Sequence, residues 1–317
     1  MTSTPRTAVP LHQHTPRERG AALLTALDHD PTFVTDHLNL NASALTTLPE
    51  ALRRCSGARV LSVYDNGLRD VPAWLWGFTH LHTLNLSANA FESLPDALGQ
   101  LTNLGMLDLG HNALRAVPDV FETLGHLEFL YLSNNHLTEL PTSLRTLARL
   151  RYLNVTDNAL AQLPDWLGEL RGLQEVRAYH NQLTALPEGV GDLTRLRELH
   201  VMNNQLRYLP DALGRCARLE KLNVQGNGLV SLPDSLGDLG QLTELDLRFN
   251  ALTELPESLA RLTSLRFLDL RANALTTLPE GLAGLPRLEK LDVRWNQLTE
   301  LPVAFEALRE RGCLIYT

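Results

Sequence analysis

Four side chains between residues 175 and 200 are of the types that carry out acid–base chemistry. They are Glu175, Tyr179, His180 and His200, and carboxylates, phenols and imidazoles are the usual general acids and bases of enzymes. Their surroundings argue against catalysis, because they fall in a repeat that predicts an open sheet without a water-excluding pocket. The sequence also has no nucleophile elbow, glycine-rich phosphate loop or metal-ligand spacing. We therefore predict a protein that is not an enzyme and binds no cofactor or metal.

The same four residues belong to a larger group whose composition favours protein recognition. Tyr, Arg, Phe and Met are enriched in protein interfaces and at their energetically dominant positions. We call this group the central patch, and it consists of Phe129, Tyr131, Tyr152, Glu175, Arg177, Tyr179, His180, His200 and Met202. An alternative interpretation is that these aromatic side chains only stack on one another and stabilise the sheet. We predict that the central patch binds a protein partner.

A second group of candidate contact residues lies near the C-terminus. Three aspartates and three arginines recur there at 23-residue intervals, namely Asp246, Asp269, Asp292, Arg248, Arg271 and Arg294. This pattern predicts a self-neutralising ladder of surface ion pairs, each of which stabilises the fold by less than about 1 kcal/mol. The ladder does not account for the neighbouring aromatic residues Phe249 and Trp295. We therefore predict a secondary partner-binding site, the C-terminal patch, at Phe249, Arg271 and Trp295.

An unbroken 23-residue repeat must position both patches. Asparagine recurs eleven times from Asn66 to Asn296, and a proline follows each asparagine by six residues. Ser43 and Pro49 extend the series to a twelfth unit. The unit reads LxxLxLxxNxLxxLPxxLGxLxx, with the asparagine at position 9, and such regular self-similarity predicts a solenoid.

Each segment of the unit predicts a local structure. The alternating LxL segment predicts a short strand over roughly positions 3 to 7, parallel to its neighbours in one continuous sheet. In nine of the twelve units an acid follows the repeated proline, which predicts a short helical or 3₁₀ turn with proline at its first position. The asparagine is expected to pair with backbone groups of its own unit and the next one. The predicted class is α/β, a horseshoe with the sheet on its concave face and the turns on its convex face.

The unit resembles the LP-containing repeat of leucine-rich-repeat proteins over residues 35 to about 310. It is similar to the repeats of cytosolic signalling members, namely the Scribble/Erbin group, the plant Ras-group-related proteins and the Roco proteins, and of bacterial relatives. The resemblance implies a right-handed solenoid that acts as a protein-interaction scaffold and holds one partner on its concave face. Two alternatives stay open: a regulatory or effector protein that modulates a signalling enzyme such as a small GTPase, and a self-assembling structural surface protein.

The two ends differ from the repeats and are interpreted as a tail and two caps. Residues 1–14 are expected to be disordered, and Thr15-Pro16-Arg17-Glu18 forms a capping box that predicts a helical cap over residues 15–34. Twelve repeats occupy residues 35–310. A capping strand is expected in residues 311–317, with Leu314 and Tyr316 at positions 4 and 6.

Composition limits the compartment and the partner. The net charge of −8 weighs against nucleic acid or an anionic membrane as the main partner. The chain has three cysteines, of which Cys55 and Cys216 are expected to be buried and Cys313 exposed, and their odd number predicts no disulfide framework. No apolar stretch is long enough to cross a membrane. These features predict a cytoplasmic monomer with a protein partner.

Overall fold

The computed structural model describes residues 15–317, so the tail predicted for residues 1–14 lies outside the described residues. The first element, α1 (Pro16–His29), begins with the predicted capping box. The Thr15 hydroxyl accepts the N–H of Glu18 at 3.2 Å, and the Glu18 carboxylate accepts the N–H of Thr15 at 2.7 Å. The helix packs against the first strand of the sheet. No helix in residues 15–317 has the length and apolar character needed to cross a membrane.

A single parallel sheet runs through the described chain, with its strands in sequence order. This confirms the predicted solenoid with one continuous sheet. Across residues 15–317 the thirteen strands are β1 (His37–Asn39), β2 (Val60–Ser62), β3 (Thr83–Asn85), β4 (Met106–Asp108), β5 (Phe129–Tyr131), β6 (Tyr152–Asn154), β7 (Glu175–Arg177), β8 (Glu198–His200), β9 (Lys221–Asn223), β10 (Glu244–Asp246), β11 (Phe267–Asp269), β12 (Lys290–Asp292) and β13 (Leu314–Tyr316).

Each repeat strand covers positions 3 to 5, so the predicted span of positions 3 to 7 was too long. Hydrogen bonds between units nevertheless continue past the strand, for example from Leu86 N–H to Asp108 O at 2.8 Å and from Ala88 N–H to Gly110 O at 2.9 Å. The strand ends early because the residue at position 8 takes a left-handed conformation, as Ala88 does with φ 52°. The chain therefore turns immediately before the repeated asparagine.

Short 3₁₀ turns return the chain along the convex face. They cover Glu50–Cys55, Ala73–Gly77, Asp96–Gln100, Phe121–Thr123, Thr142–Thr146, Asp165–Glu169, Glu188–Asp192, Asp211–Arg215, Asp234–Asp238, Glu257–Arg261, Glu280–Gly284 and Val303–Phe305, and a helical turn, α2 (Glu306–Glu310), follows the last of them. The prediction that proline is the first residue of the turn was wrong by one position. Pro95, for example, caps its turn in an extended conformation with ψ 158°, and its carbonyl accepts the N–H of Leu98 at 3.1 Å.

The repeated asparagines form a hydrogen-bonded ladder inside the solenoid. The Nδ2 group of Asn89 donates to Leu86 O and Ser87 O in its own unit and to Val63 O in the preceding unit, and its Oδ1 atom accepts the N–H of Leu68 at 3.0 Å. The prediction that the asparagine reaches into the next unit was therefore wrong. The Val63 carbonyl is shared between Asn66 and Asn89, whereas the Leu68 N–H has Asn89 as its partner. Each asparagine therefore joins two units and satisfies an N–H that would otherwise be unpaired in a packed turn.

The register of the last strand is shifted by one residue relative to the repeat. Lys290 pairs with Leu314 and Asp292 pairs with Tyr316, so these two residues occupy positions 3 and 5 and not the predicted positions 4 and 6. The extra residue belongs to the connection through α2 and Gly312, which has φ 89°. Because a shift of one residue reverses the faces of a strand, Leu314 and Tyr316 are exposed on the concave side.

The cysteines are unpaired and all three are buried. This agrees with the expectation for Cys55 and Cys216 but overturns it for Cys313, whose exposed fraction is 6%. The reason is again the shifted connection, which turns Cys313 away from solvent before β13 begins. Burial raises the pKa of the Cys216 thiol to about 11, so this thiol stays protonated and unreactive near neutral pH.

Candidate functional site

The central patch lies on the concave face of β5 to β8 and of the turns that follow these strands. Leu130, Leu153, Val176 and Leu199, at position 4, are at most 1% exposed. Since side chains alternate along a strand, positions 3 and 5 must point away from this core. All nine predicted residues of the patch keep some solvent exposure, and eight of them are only partly buried. The repeat thus brings them onto one surface.

Aromatic and cationic side chains form the centre of this surface. The rings of Tyr131 and Tyr152, on adjacent strands, have centroids 4.8 Å apart. The guanidinium carbon of Arg177 lies 5.8 Å from the centroid of the Tyr152 ring. Burial raises the pKa of Tyr152 to about 12, so its phenol stays protonated at neutral pH and is a weaker acid than an exposed tyrosine. The cluster is suited to contact and not to acid–base catalysis.

Charged residues extend the patch toward β8 and β9. Arg177 donates to Glu175 at 2.5 Å, and Glu198 contacts both His200 at 3.0 Å and Lys221 at 3.2 Å. Burial opposes ionisation of Glu198, but the hydrogen bonds from His200 and Lys221 prevail and hold its pKa below the usual value. Glu198 and Lys221 were missed in the sequence, although both occupy position 3 in the units that follow Glu175, and this spacing could have revealed them.

A second row of contacts runs along position 8. The Nδ1 atom of His180 lies 2.8 Å from the carboxylate of Asp157, and its Nε2 atom lies 2.7 Å from the amide of Asn203. The ring of Tyr179 meets that of His180 edge-on at 5.3 Å. Asp157 and Asn203 were not predicted as site residues, although each lies 23 residues from His180. These hydrogen bonds fix the imidazole in one orientation on the concave surface.

The fold also brings together three potential metal ligands that lie far apart in the sequence. Atoms of Glu175, Glu198 and His200 lie within 4.8 Å of one another. The two carboxylates are already engaged, Glu175 by Arg177 and Glu198 by Lys221 and His200. A cation would have to displace these internal partners, so the arrangement fits an ion-pair network better than an open metal site.

The C-terminal patch adjoins the predicted ladder of ion pairs, but the ladder is not confined to the surface as predicted, because Asp292 is buried. Arg271 approaches Asp269 at 2.6 Å and Asp292 at 3.5 Å, and Arg294 approaches Asp292 at 2.7 Å. Asp292 is fully buried, and although burial opposes its ionisation, hydrogen bonds from Arg294 hold its pKa below the usual value. Arg271 is therefore largely occupied within the chain. The accessible part of this patch consists of Phe249 and Trp295, which are 48% and 64% exposed.

Phe249 and Trp295 both have a backbone conformation that bulky residues rarely adopt. Their φ angles are 56° and 61°, and a left-handed conformation costs most residues roughly 1–2 kcal/mol. Other units place small or polar residues at this position, including Ala88, Asn134 and Gly226. An exposed aromatic ring on a strained backbone is a feature that folding alone does not favour, which supports a role in contact.

This strain leads to a stability prediction. Phe249→Asn should raise the free energy of unfolding by about 0.5–1 kcal/mol, because asparagine tolerates the left-handed region. Phe267→Asn is the matched control, since Phe267 is also exposed but lies in β11, where asparagine is disfavoured, and it should lower stability. Urea unfolding of both variants, followed by circular dichroism, measures the difference. A loss of stability in Phe249→Asn equal to that of the control would show that Phe249 is a packing residue.

Comparison with known proteins supports the fold and defines the family. The sequence matches the profile of a leucine-rich repeat region over residues 142–255 and that of the leucine rich repeat over residues 79–137 and 240–298. No curated protein matches it.

Many solved structures are similar to this chain, among them two from bacteria and one from a plant. A leucine-rich-repeat protein of Leptospira interrogans is 32% identical, with a TM-score of 0.84 over 89% of this chain and 72% of its own. An internalin of Listeria monocytogenes, at 19% identity and a TM-score of 0.77, shares the fold over 94% of both chains. The plant peptide hormone receptor RGFR1, solved with RGF2, is 23% identical, with a TM-score of 0.66 over 80% of this chain and 46% of its own. With its repeats, its parallel sheet and its Leptospira relative, the chain belongs to the leucine-rich-repeat family.

Proposed function

We propose that the chain is a non-enzymatic interaction protein that holds a protein partner on its concave face, with the central patch as the main contact. The observation that carries this proposal is the packed group of Tyr131, Tyr152 and Arg177, which faces the concave side and is held in one arrangement by its own contacts. Preorganised Tyr and Arg side chains lose little conformational entropy on binding and are frequent interface anchors.

Two further observations support a binding role. Leucine-rich-repeat domains generally mediate interactions between proteins, and the plant receptor similar to this chain was solved with its peptide hormone. The high pKa of Tyr152 and the engaged carboxylates of Glu175 and Glu198 leave the patch poorly suited to proton transfer. These observations favour binding over proton-transfer catalysis, and the two alternatives, a regulator of a signalling enzyme and a self-assembling surface protein, stay open.

We further propose a monomer in a reducing compartment such as the cytoplasm. The support is chemical: the three cysteines are unpaired and buried, and disulfides are rare in reducing compartments. Gel filtration over a hundredfold range of concentration should give a constant elution volume. A volume that decreases with concentration would favour the self-assembling alternative.

Site-specific photo-crosslinking tests which face holds the partner. Tyr152→p-benzoylphenylalanine places the photoreactive group on the concave sheet, and Trp166→p-benzoylphenylalanine places it on a convex turn. Both changes replace one partly buried aromatic residue by another, so they are matched. On irradiation in lysate, the concave variant should give a defined crosslinked protein that is absent for the convex variant. Products from the convex variant alone, or the same products from both, would overturn the proposal.

A further inference from the structure

A cavity of about 280 Å³ opens on the concave face beside the central patch. It extends across β8 to β12, where positions 3 and 5 of five successive units face the same space. Its main charged and aromatic lining residues are Lys221, Glu244, Asp246, Phe267, Asp269 and Lys290. The cavity adjoins the central patch through His200, which lines its β8 end, and the six residues just named belong to neither patch.

The two lysines of the lining have partners at opposite ends of the cavity. The ammonium group of Lys221 lies 3.2 Å from Glu198 on the β8 side. On the other side, that of Lys290 lies 5.3 Å from the centre of the Tyr316 ring in β13. The direct partners of both ammonium groups thus lie outside the middle of the cavity, where the three carboxylates lie, and only Lys221 also acts on Glu244 at longer range.

Glu244 is the carboxylate of this middle region that has no direct partner in residues 15–317, although Lys221 and Arg266 act on it at longer range. Its side chain is exposed, and within residues 15–317 its carboxylate has neither a hydrogen bond nor an ion pair. The carboxylates beside it are engaged, Asp246 by Arg248 at 3.1 Å and Asp269 by Arg271 at 2.6 Å. Burial still raises the pKa of Asp246, so the Arg248 contact only partly offsets the cost of removing this charge from water. An added positive charge would stabilise both Glu244 and Asp246.

Phe267 provides an aromatic wall that already contacts one guanidinium. Its ring is 36% exposed, and the guanidinium carbon of Arg266 lies 5.2 Å from its centroid. Arg266 itself is held at the flank of the sheet by two hydrogen bonds to Glu289, at 2.7 and 3.1 Å. Because Arg266 already covers part of this ring, an incoming guanidinium has to stack on the part that remains exposed.

We propose that this cavity receives an arginine side chain of the partner protein, with Glu244 as its carboxylate contact and Phe267 as its stacking surface. This inference rests on the proposed function, since it specifies part of the partner that the concave face holds. Arginine fits better than lysine, because a planar guanidinium can stack on a ring and donate two parallel hydrogen bonds to one carboxylate.

The test uses N-acetyl-L-arginine amide as the probe and N-acetyl-L-citrulline amide as its uncharged isostere. Each is titrated into the ¹⁵N-labelled full-length chain and followed by transverse-relaxation-optimised NMR. The arginine derivative should produce saturable shifts centred on Glu244, Asp246 and Phe267, and the citrulline derivative should bind at least about tenfold more weakly. Equal binding of the two probes, or shifts scattered over the surface, would overturn the inference.

Single substitutions then assign the roles of the two residues. Glu244→Gln should weaken binding of the arginine derivative about fivefold to tenfold, which is the loss of affinity expected when roughly one charged contact is removed. Phe267→Leu should weaken it about threefold while preserving an apolar strand residue. Glu128→Gln removes the same charge from a surface pair with Arg151 and should leave the affinity unchanged. Wild-type affinity in Glu244→Gln would exclude this residue as the contact and refute the inference.

The outcomes separate this inference from the proposed function. If the partner crosslinks to position 152 while the arginine derivative fails to bind, the cavity inference alone is wrong. If the arginine derivative binds in the cavity but no protein crosslinks to the concave face, the proposed function fails, and with it the assignment of the cavity to a protein partner.

Discussion

Asn158→Leu should lower the free energy of unfolding by about 3 kcal/mol. The amide of Asn158 donates to Leu132 O, Val155 O and Thr156 O at 3.0–3.1 Å, and its Oδ1 atom accepts the N–H of Leu137 at 2.9 Å. Leucine has nearly the same size but removes all four bonds. Leu132 O, Val155 O and Thr156 O each keep one other donor, whereas the Leu137 N–H loses its partner. The unpaired N–H costs about 1–3 kcal/mol, and the loss of the three shared bonds adds to this cost.

Two matched variants test whether the ladder is responsible. Asn103→Leu makes the same chemical change at an exposed asparagine that donates one hydrogen bond, to Thr79 O at 2.7 Å, and should cost less than about 1 kcal/mol. Ser43→Ala, at the first unit, should also cost less, because the backbone N–H of Ser43 keeps its bond to Asn66. Urea midpoints measured by circular dichroism compare the three. Equal midpoints for Asn158→Leu and Asn103→Leu would mean that the ladder does not stabilise the solenoid.

Most of the fold was predictable because the same 23-residue sequence pattern recurs in twelve units. The same asparagine, proline and leucine positions recur without insertion, so a correct interpretation of one unit gave the sheet, its direction and its concave face. The errors arose where one residue decides the outcome. The strand is short because position 8 is left-handed, and β13 is reversed because one extra residue precedes it. Neither the φ of a non-glycine residue nor the length of a terminal connection follows from the pattern.

The candidate site was predictable in its location but not in its internal contacts. Positions that the repeat leaves free do lie on the concave face, as alternation requires. The partners of the predicted residues, such as Glu198 for His200 and Asp157 for His180, come from side-chain conformations that the spacing does not specify. The cavity around Glu244 was missed for a related reason: it depends on five units acting together, and no single unit carries a distinctive motif there.

The variant with Tyr131→Ala, Arg177→Ala and Tyr179→Ala should lose partner affinity by at least about a hundredfold, or roughly 2.8 kcal/mol, while remaining folded. Interface anchors of these types each contribute about 1–4 kcal/mol on truncation. Because these side chains lie on the free face of the sheet, each substitution alone should cost less than about 1 kcal/mol of stability. The ring contact of Tyr131 with Tyr152 and the Glu175–Arg177 pair bring the expected total to about 2 kcal/mol, which a thirteen-strand solenoid should tolerate.

Affinity for the crosslinked partner is measured by isothermal titration calorimetry, and folding by circular dichroism at the same temperature. The control variant carries Arg207→Ala and Tyr208→Ala, which remove exposed side chains of the same types outside the sheet, and it should bind normally. Because the hydrogen-bonded ladder and the leucine core are untouched in both variants, any difference in affinity between them reports on the concave surface. If the triple variant binds as tightly as the wild type, the central patch is not the site. The accessible aromatics of the C-terminal patch, Phe249 and Trp295, would then become the candidates, since they retain exposed rings at a cost in backbone strain.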